Sequence, residues 1–206
     1  MPVGVAGSEL RLYSSLMAGR AAVFVDLHGT LGAVHGNVGG DFPEFTWYSN
    51  AAEAIRLVNQ AGLCAVAVTN QGPIADGRFT LDDFWNRMAD LERELREEGA
   101  YLDAIYCCPH KQHDGCACCK PRTGLVDDAC KEFQIDPRLS YVVGDRGDLD
   151  MLLASAIGAR GILVRTGQGE GSLAEFRQTW ANVDADYIAA HVVDAVRWIL
   201  NDQHSI

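Results

Sequence analysis

Positive charge is scarce in this sequence. Its 206 residues hold 17 Lys and Arg against 28 Asp and Glu, a formal net charge of -11 with a pI near 4.8. A nucleic-acid phosphate backbone is gripped by clusters of Lys and Arg, and no such cluster occurs, so no nucleic-acid partner is expected. Long apolar runs are also lacking. None approaches the roughly 18 residues that a membrane span requires, so no membrane partner is expected. The opening stretch MPVGVAGSELRLYSSLMAGR lacks a basic flank followed by a continuous apolar core, and is not read as a signal peptide. Repeats, low-complexity tracts and long linkers are missing too. Acidity does not exclude a phosphorylated small substrate, because a metal ion and helix N-termini make a local field positive.

Hydrophobic residues make up 48% of the chain and charged residues 22%, the balance of an ordinary globular protein with a core of its own. Five of the seven cysteines (Cys107, Cys108, Cys116, Cys118 and Cys119) fall within 13 residues, with Cys64 and Cys130 apart. A tight Cys/His cluster in a chain without a leader points to metal binding in a reducing compartment, so a cytoplasmic location is expected.

The pattern along the chain alternates strand and helix. Ala21–Val25, Leu63–Val68, Asp103–Tyr106, Tyr141–Val143 and Gly161–Val164 are short apolar runs of the kind buried in a parallel sheet. Helices are predicted over 50–61, stopping at Gly62, over Thr80–Glu98 with Thr80 as N-cap, and over 123–133, 148–156 and 187–201. This predicts an α/β fold: a single Rossmann-like domain over 1–206, its core about 21–167, with a mainly parallel sheet. No insert is long enough for a separate cap domain. Ligands in such sheets bind beyond the carboxyl ends of the strands. Those ends carry Asp26, then Thr69 and Asn70, then Asp145, with Lys120 following the cysteine cluster. A nucleophilic carboxylate, a hydroxyl and amide turn, a lysine and a further acid are what phosphoryl transfer needs. Asp26 could carry the phosphoryl group, magnesium could bridge it to phosphate, and Lys120 and Thr69 could hold the equatorial oxygens.

Four stretches in order, Asp26-x-His28-Gly29-Thr30, Val68-Thr69-Asn70-Gln71, Lys120-Pro121 and Gly144-Asp145-Arg146, resemble the motifs of the haloacid dehalogenase-like phosphatases. The detail resembles the branch that contains heptose bisphosphate phosphatases and histidinol-phosphate phosphatase domains. That branch carries a zinc loop before the lysine, here within 107–120 as Cys108-Pro109-His110 and Cys116-Ala117-Cys118-Cys119-Lys120. The resemblance implies a magnesium-dependent phosphatase of a small phosphorylated metabolite, such as a heptose bisphosphate, that works through an aspartyl-phosphate on Asp26. It places Asp26, His28, Thr69, Asn70 and Lys120 in catalysis. It gives magnesium to Asp26, the His28 backbone carbonyl, Asp145 and Asp150, and a structural zinc to Cys108, His110, Cys116 and Cys118, with Cys107, Cys119 and His113 as possible substitutes. The partner is a small phosphate ester and the chain is expected to be monomeric.

The sequence departs from the pattern in three places. His28 stands where the resemblance calls for an acid/base Asp, and its unperturbed pKa of about 6.5 suits proton exchange near neutrality. Cys119 stands where the branch has arginine, leaving Arg146, Arg122 and Arg78 as candidate replacements. Asp148 and Asp150 flank the position of the expected second acid, and Asp150 fits best if the loop holds one extra residue. The long, glycine-rich segment Gly32–Trp47, including His35, is expected to overhang the strand ends and shape substrate choice. Histidinol phosphate is an alternative substrate, and binding without turnover is the reading outside enzymes.

Overall fold

The computed structural model describes residues 19–35 and 44–203. Residues 1–18 of the opening stretch lie outside them, as do residues 36–43 of the expected overhanging segment. Six strands form one parallel sheet: β1 (Ala22–Val25), β4 (Cys64–Asn70), β5 (Ala104–Cys108), β6 (Tyr141–Gly144), β7 (Arg160–Val164) and β8 (Tyr187–Ala189). Their order is β5-β4-β1-β6-β7-β8, every neighbouring pair parallel. After β1 the chain builds outward through β4 and β5, then returns to lay β6 on the other side of β1. The strand order therefore reverses at β1, where a crevice opens beyond the carboxyl ends.

Alternation along the strands feeds two cores, because successive side chains point to opposite faces. Val23, Val25, Ala65, Ala67 and Val143 face helices α1 (Ala51–Gln60), α2 (Leu81–Glu97) and α6 (Val192–Gln203). Ala22, Phe24, Val66, Val68 and Val142 face α3 (Gly124–Phe133) and α4 (Leu152–Ile157). Short helix α5 (Gly169–Leu173) lies beyond β7. Thr80 caps α2 as the sequence predicts: its hydroxyl accepts from the Asp83 N–H while the Asp83 carboxylate accepts from the Thr80 N–H, satisfying two otherwise orphaned donors.

Two expectations need correction. The segment Gly32–Trp47 is not a plain loop: Gly32–His35 (β2) and Glu44–Trp47 (β3) pair as an antiparallel hairpin. Its anchorage is tertiary, because the Arg87 guanidinium donates to the Phe45 carbonyl (2.6 Å) and the Trp47 indole donates to that of Leu91 (3.2 Å), both on α2. The helix expected over 187–201 begins only at Val192. Tyr187–Ala189 is instead the edge strand β8, whose short apolar run reads equally as the start of a helix. Among the described residues no helix is long and apolar enough to cross a membrane.

Phe84 on α2 is fully buried. Phe84→Ala should destabilise the fold by about 3–5 kcal/mol, readable as a lowered midpoint in urea; a change within experimental error would show that α2 does not close this face.

Candidate active site and cysteine-rich metal site

The strand ends converge on one lysine. Lys120 is 2% exposed, and its ammonium lies 2.6 Å from Asp26 Oδ1 and 2.8 Å from Asp150 Oδ1. Asp26 follows β1 directly, and Asp145 follows β6. Oxygens of Asp26, Asp145 and Asp150 lie within 4.8 Å of one another. Burial alone would lower the Lys120 pKa, but Asp150 and Asp26 outweigh it and keep the ammonium charged. The opposite imbalance falls on the carboxyls. Asp145 is pushed up to about 8, by burial first and then by Asp26 and Asp150. Asp150 is pushed up to about 6, by burial and Asp26 against the pull of Lys120. Three carboxylates share one cation, and the shortfall shows in these shifts.

Close packing of backbone around the carboxylates explains three glycines. A Cβ on Gly144 would fall 2.1 Å from the Asp150 carboxyl carbon. Gly29 (φ +84°) and Gly167 (φ +57°) each leave room for Asp145 Oδ2, within 2.1 and 2.2 Å of where a Cβ would sit. The Gln168 N–H donates to the same oxygen at 2.7 Å. Behind it the Ser172 hydroxyl donates to the Asp145 carbonyl at 2.9 Å.

Of the two acids of the fourth motif, a π-type turn over Gly147–Met151 buries Asp150 against Lys120. It accommodates the extra residue expected from the sequence and turns Asp150 inward. Asp148 instead pairs with Arg146 at 2.6 Å, so that candidate replacement for the missing arginine is already engaged. Arg122 donates to the Cys116 carbonyl (2.8 Å), and Arg78 is exposed. Cys119 itself is buried, its thiol donating to Gln112 Oε1.

Thr69 is buried at the end of β4, its hydroxyl accepting from the Gln71 side chain at 3.0 Å. Asn70 clamps the lysine's main chain: Oδ1 accepts from the Lys120 N–H (2.9 Å) and Nδ2 donates to its carbonyl (3.1 Å). Gln112 donates to the same carbonyl at 3.3 Å. The sequence reading missed Gln112, since a glutamine in a cysteine loop carries no signature of its own.

His28 differs from expectation. Its ring packs against Phe45 with centroids 5.4 Å apart, and its Nε2 is buried without a hydrogen-bond partner. Burial, aided by Lys120, lowers its pKa to about 4. The imidazole is therefore neutral at pH 7, and the near-neutral titration expected from its unperturbed value is lost. The cause is the hairpin, which was not foreseen. The side chain of His35 lies outside the described residues.

Ahead of Lys120, the four sequence-chosen ligands come together. Cys108 Sγ is 3.7 Å from Cys116 Sγ and 3.2 Å from Cys118 Sγ, and His110 Nδ1 is 3.7 and 3.2 Å from Cys108 and Cys118. Tetrahedral sites with metal–sulfur bonds of about 2.3 Å have S···S edges of about 3.8 Å, so the set has the dimensions of a closed metal site. Burial, then neighbouring thiols, raises Cys118 to about 12, which a cation would reverse. Cys107 and Cys119 are not part of the set, and neither is His113.

Comparison with known proteins gives the same class. Residues 117–195 match the family described as HAD-hydrolase-like. The Haemophilus ducreyi protein named D-glycero-beta-D-manno-heptose-1,7-bisphosphate 7-phosphatase is 34% identical over 88% of this chain and 99% of its own. The Escherichia coli K12 protein of that name is 33% identical over 77% of this chain and 86% of its own. The crystal structure of D,D-heptose 1,7-bisphosphate phosphatase from B. bronchiseptica, complexed with magnesium and phosphate, superposes with a TM-score of 0.77. It is 26% identical and covers 89% of this chain and 99% of its own. The chain belongs to the haloacid dehalogenase-like phosphatases, a family of phosphoric monoester hydrolases.

Gly144→Ala should drive the Asp150 carboxyl from Lys120 and cost about 1–3 kcal/mol of stability, as overpacking does. An unchanged melting temperature would mean that the close approach is not structural.

Proposed function

We propose that this chain is a magnesium-dependent phosphatase of a sugar phosphate, the substrate class named for its relatives, acting as one hydrolase domain over 1–206. The observation that carries this reading is the buried Lys120, held between Asp26 and Asp150 where the strand order reverses. The oxygen-only trio Asp26, Asp145 and Asp150, with its unbalanced negative charge, fits a hard divalent cation. With the His28 carbonyl, these residues would hold Mg²⁺, which supplies charge neutralisation at the phosphoryl oxygens when bound.

Asp26 attacks phosphorus through a carboxylate oxygen, the ester P–O bond breaks, and the leaving oxygen takes a proton from solvent. Lys120 and the Thr69 hydroxyl oppose the charge on the equatorial oxygens. Water then attacks the aspartyl-phosphate, passing its proton to the neutral His28 imidazole. Inorganic phosphate leaves, His28 returns its proton to solvent, and Asp26 is restored. Asn70 acts through its hold on Lys120.

Phosphate release from a sugar-phosphate panel, with magnesium, tests this. Asp26→Asn should lower kcat by about 10³-fold or more, and His28→Ala by about ten- to a hundredfold with KM little changed. Retained phosphate binding by the native protein without any release would support the binding-only reading instead.

For the cysteine site we propose structural zinc on Cys108, His110, Cys116 and Cys118, because four protein ligands leave no position for a reacting water. Elemental analysis should find about one zinc per chain, as four-ligand structural sites hold, and Cys118→Ser should lose it together with activity. Full activity in a zinc-free protein would disconnect the loop from Lys120.

A further inference from the structure

The acids at the strand ends are held by more than the lysine they face. Asp145 sits one residue past the end of β6, where the ladder to β7 has stopped, so its main chain needs a partner from elsewhere. Ser172 supplies it. This side chain, from short helix α5, is 2% exposed, and its hydroxyl makes two bonds of opposite sense. It donates to the Asp145 carbonyl at 2.9 Å and accepts from the Gly147 N–H at 3.3 Å. The two bonded groups flank Arg146, whose own N–H donates to Asp150 Oδ2 at 3.1 Å. One hydroxyl thus grips the main chain on both sides of the turn that leads from Asp145 to Asp150.

Ser172 is itself fixed from two directions. Its N–H donates to the Gln168 carbonyl at 2.8 Å, and the Gln168 N–H donates to Asp145 Oδ2 at 2.7 Å. Its carbonyl accepts from the Trp180 indole N–H at 3.0 Å. Trp180 is buried, and its ring fills the space beside Gly147, where a Cβ would fall 2.1 Å from the nearest ring carbon. The Arg177 guanidinium covers that ring, 4.0 Å from its centroid. Ser172 and Trp180 therefore act on the backbone that aims the carboxylates.

We infer that Ser172 is a positioning residue for the metal-binding carboxylates: through the main chain of Asp145 and Gly147 it keeps Asp145 and Asp150 close enough to share a divalent cation, with Trp180 locking it in place. This rests on the magnesium reading above and names groups outside the acid trio on which cation affinity depends. Without the hydroxyl, a buried carbonyl and a buried N–H lose their partner, and the turn between the two acids relaxes. Partners behind a metal ligand typically set about 10–100-fold in metal affinity.

Calorimetric titration with magnesium alone, in the absence of any phosphate ester, tests this. Ser172→Ala should weaken magnesium binding by about tenfold or more, and excess magnesium should restore its phosphate release, since mass action makes up for lost affinity. Trp180→Phe, which keeps the hydroxyl but removes the indole N–H, should weaken binding by about two- to tenfold, the worth of one hydrogen bond. Phe84→Ala separates positioning from stability: it should lower the unfolding midpoint and leave magnesium affinity as in the native protein. Native magnesium affinity in folded Ser172→Ala, or an equal loss in Phe84→Ala, would overturn the inference and leave the phosphatase reading standing. If Ser172→Ala does not fold, Trp180→Phe decides, and native affinity there overturns the inference. A native protein that binds no magnesium would remove the metal reading and the inference with it.

Discussion

The structure is organised around an ammonium group that water does not reach. A lysine 2% exposed is tolerated only when its charge is met. Here it is met twice, by carboxylates arriving from different parts of the sheet. Removing either partner of a buried pair strands the other, a loss of about 3–5 kcal/mol, so Asp26, Lys120 and Asp150 constrain one another. Each arrives by a different device. Asp26 needs only the end of β1, Asp150 needs the π-type turn, and Lys120 needs a loop with no regular secondary structure. That loop would wander without a tether. The Cys/His cluster ends two residues before the lysine, while Asn70 and Gln112 hold its peptide groups. The cysteine cluster is thus best understood as part of the lysine's support.

Much of this was legible in the sequence. Strand ends carrying Asp26, Thr69-Asn70 and Asp145 could be marked because buried parallel strands are short, apolar and abruptly ended. The gathering of Cys108, His110, Cys116 and Cys118 was legible for a similar reason, since the spacing of such a cluster is a local property. Even the extra residue at Asp148–Asp150 left a trace in the offset of the following Met-Leu-Leu-Ala. What could not be read there was which acid turns inward. That is decided by the absence of a Cβ at Gly144, which makes room for Asp150, and by the attraction of Arg146 for Asp148.

The failures share one cause. Glycine-rich Gly32–Trp47 has weak strand character, and its pairing is fixed by α2 through Arg87 and Leu91, residues some 40 positions away. Local pattern carries no information about such anchors. Because the hairpin was missed, so was the fate of His28. The unperturbed pKa of an imidazole is a property of the residue type, whereas its value here belongs to the place: burial, with the ring against Phe45 and the Lys120 charge nearby, favours the neutral form. The edge strand at Tyr187–Ala189 was lost differently, because three apolar residues fit either period.

An excess of negative charge runs against the needs of a phosphate-handling protein, yet distance resolves the conflict. At physiological ionic strength screening acts over about 8 Å, so carboxylates scattered over the outer surface add little at the strand ends. What a phosphate meets there is the local set: three acids within 4.8 Å of one another and one lysine. Before a cation balances that set it repels a dianion, and after balancing it has little attraction to spare. The hairpin lays Ala33 and Val34 along the cavity above these groups and packs Phe45 against the His28 ring. The element least legible in the sequence is thus one that walls the cavity beyond the strand ends.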